Sequence, residues 1–228
     1  MLIKGKDLNI SDNVEMKRGL HTFLNPYSYY LIRNKLSVLS NFQNIYCDGI
    51  LFVMLVRILG VKVNRVSFDM TSLAPIVFRK AEANNFTLAL IGGEEGVIDK
   101  AIISFKEKFP FLNIIYTHSG FFHGKEDRDE VINQIIKGDP DIVIVGMGAM
   151  MQENFLVDLY NKGWHGYGYT CGGFFHQSAS KKGDYYPVLV NKLNIRWLYR
   201  IYKEPKLIQR YFVIYPKAIL CFFLDVFF

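Results

Sequence analysis

The sequence predicts an α/β protein: a doubly wound, mostly parallel, Rossmann-like sheet followed by a C-terminal helical appendage. Short apolar runs rich in β-branched residues alternate with segments of helical spacing, at intervals that suit β-α-β units with right-handed crossovers. Nearly every predicted strand ends in glycine or a short polar group, and ligands of open parallel sheets bind at that edge. After Pro187 the sequence becomes basic, aromatic and apolar. We therefore expect an α/β domain over residues 1–187 and an appendage over residues 188–228.

The composition offers ample material for a core and suits anionic partners. Of the 228 residues, 50% are hydrophobic, and the formal net charge is +6. The 19 Phe and 14 Tyr residues exceed what packing alone usually needs. The positive charge suits nucleic acid, a phosphorylated substrate or the acidic face of a bilayer, and it does not choose among them.

Cysteine usage and targeting signals favour a cytoplasmic protein. Cys47, Cys171 and Cys221 are widely spaced and form no CxxC pair, so neither a disulfide framework nor a zinc site is indicated. The N-terminus lacks the apolar core of a signal peptide. The sequence contains no uncharged run of about 18 residues, so a membrane-spanning helix is not predicted.

Four strands with their helices are predicted before residue 139. Residues 1–18 are a short strand or a flexible lead-in, and the Asn25-Pro26 pair then ends the first strand. Residues 63–69 form a loop, with Asp69 or Ser72 available to cap the next helix. The predicted strands are residues 21–24, 44–50 (cut off by Asp48-Gly49), 87–91 (ending in Gly92-Gly93) and 113–117 (ending in His118-Ser119-Gly120). The predicted helices are residues 27–39, 51–59, 74–83, 94–109 and 128–137.

Residues 139–153 form the stretch around which the rest is organised. The apolar run 142–145 is typical of a fully buried strand, and Gly146 and Gly148 close it. Glycines there let backbone N–H groups approach a phosphate, and the N-terminus of the following helix adds a favourable dipole. This stretch therefore predicts one wall of a nucleotide-sugar site.

The remaining predicted elements follow this stretch. A helix covers residues 152–161, and a last strand, 166–170, ends in Cys171-Gly172-Gly173. A helix over residues 188–203 carries Arg196 and Arg200 one turn apart, and Pro205 suits the first turn of a further helix. Residues 211–228 are apolar but hold charged residues, so we expect them to lie on a membrane or against a partner.

Three alternative motifs fail on spacing or position. The dinucleotide fingerprint G-x-G-x-x-G is incomplete, because Met151 stands at its third glycine and no acidic residue follows at the next strand end. A nicotinamide-dependent oxidoreductase is therefore a weaker hypothesis than a nucleotide-sugar enzyme. Asp139-Pro140-Asp141 matches the metal-binding DxD pattern, but it precedes its strand, and we interpret it as a turn. His118, His123, Glu126 and Asp127 share one polar loop without the spacing of a strong metal site.

One carboxylate and three arginines remain as chemical candidates. Asp48 ends an apolar strand and could remove a proton from an acceptor hydroxyl if geometry brings it within reach. A plain Asp-Gly turn is the open alternative. Arg196, Arg200 and Arg210 are either a solvated face or a site for a diphosphate or a membrane surface.

Several segments in order resemble one family, the WecG/TagA/CpsF glycosyltransferases, between about residues 22 and 210. Residues 146–153 are similar to its G-x-G-x-P-x-Q-E pattern, residues 22–25 to T-x-N, Asp48-Gly49 to D-G and residues 65–69 to R-V-x-G-x-D. Gly92-Gly93, residues 119–122 and residues 172–174 also fit. Residues 196–200 with Glu204-Pro205 and Arg210-Tyr211 resemble E-W-L-Y-R, E-P and R-Y.

The resemblance implies inverting, metal-independent transfer from a UDP-sugar to a polyprenyl-diphosphate-linked glycan at the inner face of the bacterial cell membrane. Asp48 would be the base, Gln152 would contact the donor sugar, and the C-terminal arginines would close over the pyrophosphate. No cofactor and no nucleic acid are expected, and a homo-oligomer is possible. The predicted substrate-binding residues are Thr22, Asn25, Gly49, Arg65, Asp69, Gly92, Gly93, Gly120, Gly146, Gly148, Gln152, Glu153, Gly172, Gly173, Arg196, Arg200 and Arg210.

The chain departs from the family pattern around the expected sugar pocket. Met150 stands where proline is usual, Phe68 replaces a glycine, and Arg196 replaces a glutamate. Thr22 is three residues before Asn25 instead of two, and residues 174–177 replace an F-D segment. The identity of the donor sugar therefore does not carry over. A non-catalytic, membrane-associated component of a glycan-assembly complex is the second alternative.

Overall fold

A parallel sheet of seven strands forms the centre of the protein. The computed structural model describes residues 2–3, 6–180, 190 and 196–227. The strands are β1 (Leu2–Ile3), β2 (Lys6–Asp7), β3 (Ile10–Ser11), β4 (Gly19–Leu24), β5 (Phe42–Cys47), β6 (Thr87–Gly92), β7 (Asn113–His118), β8 (Ile142–Gly146) and β9 (Tyr167–Thr170). The helices are α1 (Pro26–Ile32), α2 (Ile50–Ile58), α3 (Ala74–Ala83), α4 (Val97–Lys108), α5 (Lys125–Gly138), α6 (Met151–Asn161), α7 (Phe174–Ala179), α8 (Arg196–Lys203) and α9 (Tyr215–Phe227).

The sheet has the order β3-β5-β4-β9-β8-β6-β7, and each neighbouring pair in it is parallel. β1 and β2 form a separate antiparallel pair. A parallel sheet needs hydrophobic cover on both faces. Alternate residues of β8 show that both faces of this sheet are covered. Ile142 and Ile144 join one core, whereas Val143 and Val145 join the other. The predicted doubly wound, mostly parallel sheet is confirmed.

Two of the predicted elements are interrupted or end early. The single helix predicted over residues 27–39 is wrong, because α1 stops after two turns and a 3-10 helix covers Leu36–Asn41. The strand predicted over residues 44–50 ends at Cys47. Gly49 has φ +84°, which breaks the extended backbone and starts α2.

The C-terminal segment, defined as residues 196–227, is only partly as predicted. The predicted domain boundary at residue 187 and the first part of the helix predicted over residues 188–203 lie outside the described residues. The helix expected from Pro205 is a 3-10 turn, Pro205–Leu207, and a π-helical turn, Arg210–Ile214, leads into α9.

One face of α9 belongs to the hydrophobic core. Phe222 is fully buried, and its ring lies 5.2 Å from that of Tyr29 in α1 and 5.7 Å from that of Phe52 in α2. The opposite face exposes Leu220 and Phe227. Within the described part of the chain, no helix combines the length and hydropathy needed to cross a bilayer.

Candidate active site

A cavity of about 850 Å³ lies at the carboxyl edge of the sheet, where the ends of β4, β5, β6, β8 and β9 meet the C-terminal segment. Three predicted site residues, Thr22, Gly92 and Glu153, lie behind its wall instead of on it. The other predicted residues line the cavity: Asn25, Asp48, Gly49, Arg65, Asp69, Gly93, Gly120, Gly146, Gly148, Gln152, Gly172, Gly173, Arg196, Arg200 and Arg210.

Asp48 lies directly after β5, and its backbone is fixed by a hydrogen bond to β4 and by the turn at Gly49. Its amide donates to the Leu24 carbonyl of β4 at 2.7 Å, and the turn at Gly49 follows. The side chain keeps 35% of its surface exposed, toward the cavity that it lines. An Arg65 guanidinium nitrogen lies 3.7 Å from the carboxylate. The fold therefore presents this carboxylate to a ligand beside one cation.

The electrostatics of the cavity set the proton affinity of Asp48. Desolvation raises the pKa of the carboxyl above its ordinary value, and the Arg65 guanidinium opposes that rise. The Asp69 carboxylate raises the pKa further, whereas Arg200 and a hydrogen bond from Asn25 lower it. A carboxylate whose pKa is raised toward the working pH is a better general base than an ordinary one.

Asn25 connects the catalytic edge with α1 and with the C-terminal segment. Its side-chain oxygen caps α1 by accepting from the amides of Tyr27 at 3.0 Å and Ser28 at 3.1 Å. The same oxygen accepts from Arg210 at 3.3 Å. The Arg210 guanidinium also lies 4.0 Å above the ring of Tyr27. Asn25 therefore places both the helix and an arginine beside Asp48.

Four arginines line the cavity and, in the described part of its wall, outnumber the two carboxylates, Asp48 and Asp69. Arg65 comes from the loop before α3, Arg196 and Arg200 from α8, and Arg210 from the turn before α9. Arg210 Nε is buried and has no hydrogen-bond partner among the described residues. Guanidinium groups bind diphosphates with charge-assisted hydrogen bonds. The set is therefore suited to a diphosphate ligand.

The glycines at the strand ends allow close approach of neighbouring backbones. A Cβ on Gly146 would lie 2.8 Å from the Cys171 sulfur and from the Gly172 carbonyl. A Cβ on Gly92 would lie 2.4 Å from the Gly146 carbonyl. Gly92 is thus required for packing of β6 against β8, and Gly146 for packing of the end of β8 against Cys171 and Gly172.

Gln152 lines the cavity while its amide is held by the protein. Its side-chain oxygen accepts from the Gly172 amide at 3.1 Å, and its nitrogen donates to Glu153 at 3.0 Å. Glu153 is fully buried and also accepts from Thr22 Oγ at 2.8 Å and from the Met150 amide at 2.7 Å. Burial raises the pKa of Glu153, and the bonds from Gln152 and Thr22 oppose that rise. Thr22 and Glu153 therefore lie under the floor of the cavity and hold Gln152 in place.

The DxD motif is structural, as predicted. Asp139 ends α5 with φ +41°, and Asp141 accepts from the amide and the hydroxyl of Thr87 at 2.8 and 3.0 Å. On the loop after β7, a His118 ring nitrogen lies 2.7 Å from the Ser119 carbonyl. Across the described residues, no group of three His, Cys, Asp or Glu side chains is arranged to hold a metal ion.

Several cavity residues were not predicted as site residues. Tyr211 and Tyr215 stand one turn apart beside Arg210, a spacing that could have indicated them. Trp197 belongs to the segment that resembles E-W-L-Y-R, whereas His176 has no matching position in the family pattern. Phe68, which stands where the family pattern has glycine, lines the cavity but also packs in the second core, 5.3 Å from Tyr169 and 6.0 Å from Phe23 between ring centroids.

Comparison with known proteins identifies relatives of this chain. The chain is similar to a UDP-Gal:alpha-D-GlcNAc-diphosphoundecaprenol beta-1,4-galactosyltransferase of Shigella boydii, with 40% identity over 214 residues, 92% of this chain and 88% of the relative. It is also similar to an N-acetylglucosaminyldiphosphoundecaprenol N-acetyl-beta-D-mannosaminyltransferase of Staphylococcus aureus strain MW2, with 29% identity over 130 residues, 57% of this chain and 50% of that relative. The model of the glycosyl transferase WecG/TagA/CpsF family matches residues 9–227. The chain therefore belongs to the WecG/TagA/CpsF family of glycosyltransferases.

Proposed function

We propose that this protein transfers a sugar from a UDP-sugar to a polyprenyl-diphosphate-linked glycan acceptor during the synthesis of a bacterial surface polysaccharide. The observation that carries the proposal is the position of Asp48. Its carboxylate lies in a cavity that four arginines also line, so a base and a site for a diphosphate leaving group face the same space. The relatives named for transfer to diphosphoundecaprenol-linked sugars support the same reaction class.

The mechanism we propose is one direct displacement. Asp48 takes the proton of the acceptor hydroxyl while the oxygen of that hydroxyl attacks the anomeric carbon of the donor. The bond from that carbon to the UDP phosphate oxygen breaks, and UDP leaves with the electron pair. A single displacement inverts the anomeric centre. The arginines and the amides at the glycine turns stabilise the charge that develops on UDP.

Two finer proposals concern the need for a metal ion during transfer and the position of the protein at the membrane. We expect transfer to continue in EDTA, because guanidinium groups supply positive charge at the diphosphate. The C-terminal segment exposes large apolar side chains, among them Trp197 at 42% and Phe212 at 66%, next to the cavity that it lines. We propose that this surface holds the protein peripherally at the inner face of the cell membrane, where a lipid-linked acceptor is available.

The test is a donor screen with an α-D-GlcNAc-diphosphoundecaprenol acceptor in vesicles. UDP-Gal is the first donor because the S. boydii relative is named for it and matches over most of both chains; UDP-Glc, UDP-GlcNAc and UDP-ManNAc complete the screen. UDP release and the mass of the lipid product are measured, with Asp48→Asn as the matched control. Release that requires both substrates supports the proposal. Donor binding without transfer by any pair would indicate the non-catalytic alternative, and NAD binding without UDP binding would indicate the oxidoreductase.

A further inference from the structure

Asp69 ties the C-terminal segment to the catalytic edge. Its Oδ2 accepts from Arg196 Nη1 at 3.0 Å and from Ser67 Oγ at 2.6 Å. Arg196 Nη2 donates to Thr71 Oγ1 at 2.6 Å, and that hydroxyl donates to Asp69 Oδ1 at 2.5 Å. The Asp69 and Arg196 side chains keep 14% and 19% of their surface exposed. The contact is therefore partly desolvated, unlike an ordinary surface ion pair.

Arg65 lies between two carboxylates. Its Nη1 is 3.7 Å from Asp48 and 3.9 Å from Asp69, and it donates to Ser67 Oγ at 3.0 Å. Both separations exceed the contact distance of a charge-assisted hydrogen bond. The guanidinium is therefore shared, and the carboxylate with more uncompensated charge attracts it more strongly.

Arg196 determines how much of the negative charge of Asp69 remains uncompensated. Asp69 is 127 residues away from Arg196 in sequence, and α8 brings the two together. While Arg196 compensates Asp69, the attraction of Arg65 to Asp48 is the stronger one. When α8 moves away, Asp69 draws Arg65 from Asp48, and Arg196 no longer compensates the negative charge of Asp69.

We propose that Arg196 is a positioning residue which neutralises Asp69, leaves Arg65 to Asp48, and so couples docking of the C-terminal segment to the ionisation of the base. This inference rests on the proposed function, in which Asp48 removes the acceptor proton. It assigns to Arg196 a role that contact with the donor diphosphate does not require.

The sign of the effect follows from the groups that face Asp48. Arg65 and Arg200 lower the pKa of the carboxyl, and Asp69 raises it. Loss of Arg196 removes compensation from Asp69 and draws Arg65 away, and both changes raise the pKa of Asp48. Among the described residues, the other titratable or charged groups near Asp48 are Cys47 at the end of β5, Tyr211 and Tyr215 from the C-terminal segment, and Arg210, whose guanidinium donates to Asn25.

The first arm of the test is the pH profile of kcat/KM for the full chain with UDP-Gal and the lipid acceptor. We expect Arg196→Gln to move the acid limb to higher pH by about half a unit or more. Arg196→Lys, which keeps the charge, restores part of that shift. In an Asp69→Asn background, Arg196→Gln leaves the limb in place, because the residue through which it acts is already neutral.

The matched control is Arg128→Gln. Arg128 also pairs with a carboxylate, Asp158, at 2.6 Å and has 24% of its side chain exposed, but it is not part of the cavity wall. Its removal leaves the limb unmoved. An Arg196→Gln enzyme that loses the same factor of activity at every pH would overturn the inference, since lost packing or lost substrate contact scales the whole profile.

The second arm does not depend on turnover. Carboxyl ¹³C resonances of labelled aspartate are titrated by NMR, and Asp48 is assigned by the signal missing from Asp48→Asn. The midpoint of Asp48 rises in Arg196→Gln and not in Arg128→Gln if the inference holds. A wild-type protein that transfers no sugar would refute the proposed function, and this titration would still decide the coupling. Identical midpoints in wild type and Arg196→Gln would end the proposal.

Discussion

Asp48 combines two demands that conflict in a folded protein. Burial raises the pKa of its carboxyl, so the folded state binds the proton more tightly than the unfolded chain. The stabilisation by this group is therefore complete below the ordinary Asp value and is lost as the pH rises through the raised value. In the proposed mechanism the charged form is the base, and the same charge weakens the fold at neutral pH.

Asp48→Asn tests both sides of this conflict. We expect transfer to fall by at least about 100-fold, because the base is gone. We also expect a higher Tm than wild type at pH 7, since a neutral amide of the same size replaces a partly desolvated charge, and no difference at about pH 2, where the carboxyl is protonated in both states. Activity assays and thermal unfolding at the two pH values check this. Full turnover, or an equal Tm at both pH values, would contradict it.

Met150 explains one departure from the family pattern. Its φ of +73° lies in the left-handed region, and its amide donates to Glu153 at 2.7 Å. Proline has a fixed φ near −65° and no N–H, so it fits neither feature. The backbone before α6 therefore follows a path that the usual proline would not allow.

We expect Met150→Pro to lower the free energy of unfolding by about 3 kcal/mol. It also raises the KM for the donor, because Gln152 follows in the first turn of α6. Met150→Gly is the control, since glycine keeps the N–H and accepts the positive φ. Denaturant unfolding and steady-state kinetics make the comparison. A proline variant as stable as the glycine variant would show that this backbone is not required.

At the scale of elements, α9 is held to α1 by a buried carboxylate. Asp225, whose side chain is 2% exposed, accepts from Tyr29 Oη at 2.6 Å and from Arg33 Nε and Nη2 at 2.7 and 2.5 Å. α1 begins at Asn25 in the cavity, and the turn leading into α9 carries Arg210 and Tyr211. The last helix of the chain therefore holds part of the cavity wall in place.

We expect Asp225→Asn to cost about 2–3 kcal/mol of unfolding free energy, because it removes charge-assisted bonds in a buried setting. The C-terminal segment should also become more sensitive to trypsin. Asp158→Asn is the matched control: its partner is Arg128, its side chain is 47% exposed, and a loss of at most about 1 kcal/mol is expected. Equal losses in the two variants would show that α9 is not held by this contact.

At the scale of the whole molecule, the exposed apolar side chains are concentrated on the C-terminal segment. Tyr202, Phe212, Leu220 and Phe227 are each at least 64% exposed. Deletion of residues 211–228 would also remove cavity residues such as Tyr215 and the contact at Asp225, so it confuses membrane binding with site integrity. Point substitutions on the exposed face separate the two.

We expect Leu220→Glu with Phe227→Glu to weaken sedimentation with anionic vesicles by at least about tenfold, because each side chain contributes about 1.5–3 kcal/mol when it leaves water. Ile103→Glu is the control, since Ile103 is 63% exposed on α4, which packs on the opposite face of the sheet from α9. Binding that is unchanged, or that falls equally in the control, would refute the role of this face.

Strand ends were predictable because they depend on short-range patterns. Asp48 and the glycine pairs follow runs of buried residues, and parallel strands bring their carboxyl ends to one edge. Thr22, which was predicted to bind substrate, is buried behind the cavity wall, where it donates to Glu153, 131 residues away. A motif gives the type of residue at a position, whereas its orientation depends on partners distant in the chain.

The sequence by itself determined the parallel sheet, the sheet edge that carries the cavity and the carboxylate presented there, because periodicity and the residues that end strands are local properties. Only the tertiary structure decided that Arg196 compensates Asp69, that Asp225 holds α9 to α1, and that Gly92, Thr22 and Glu153 support the site from behind. These contacts join residues that are far apart in the chain. They form because desolvated charges and buried donors must find partners once the sheet and helices have packed.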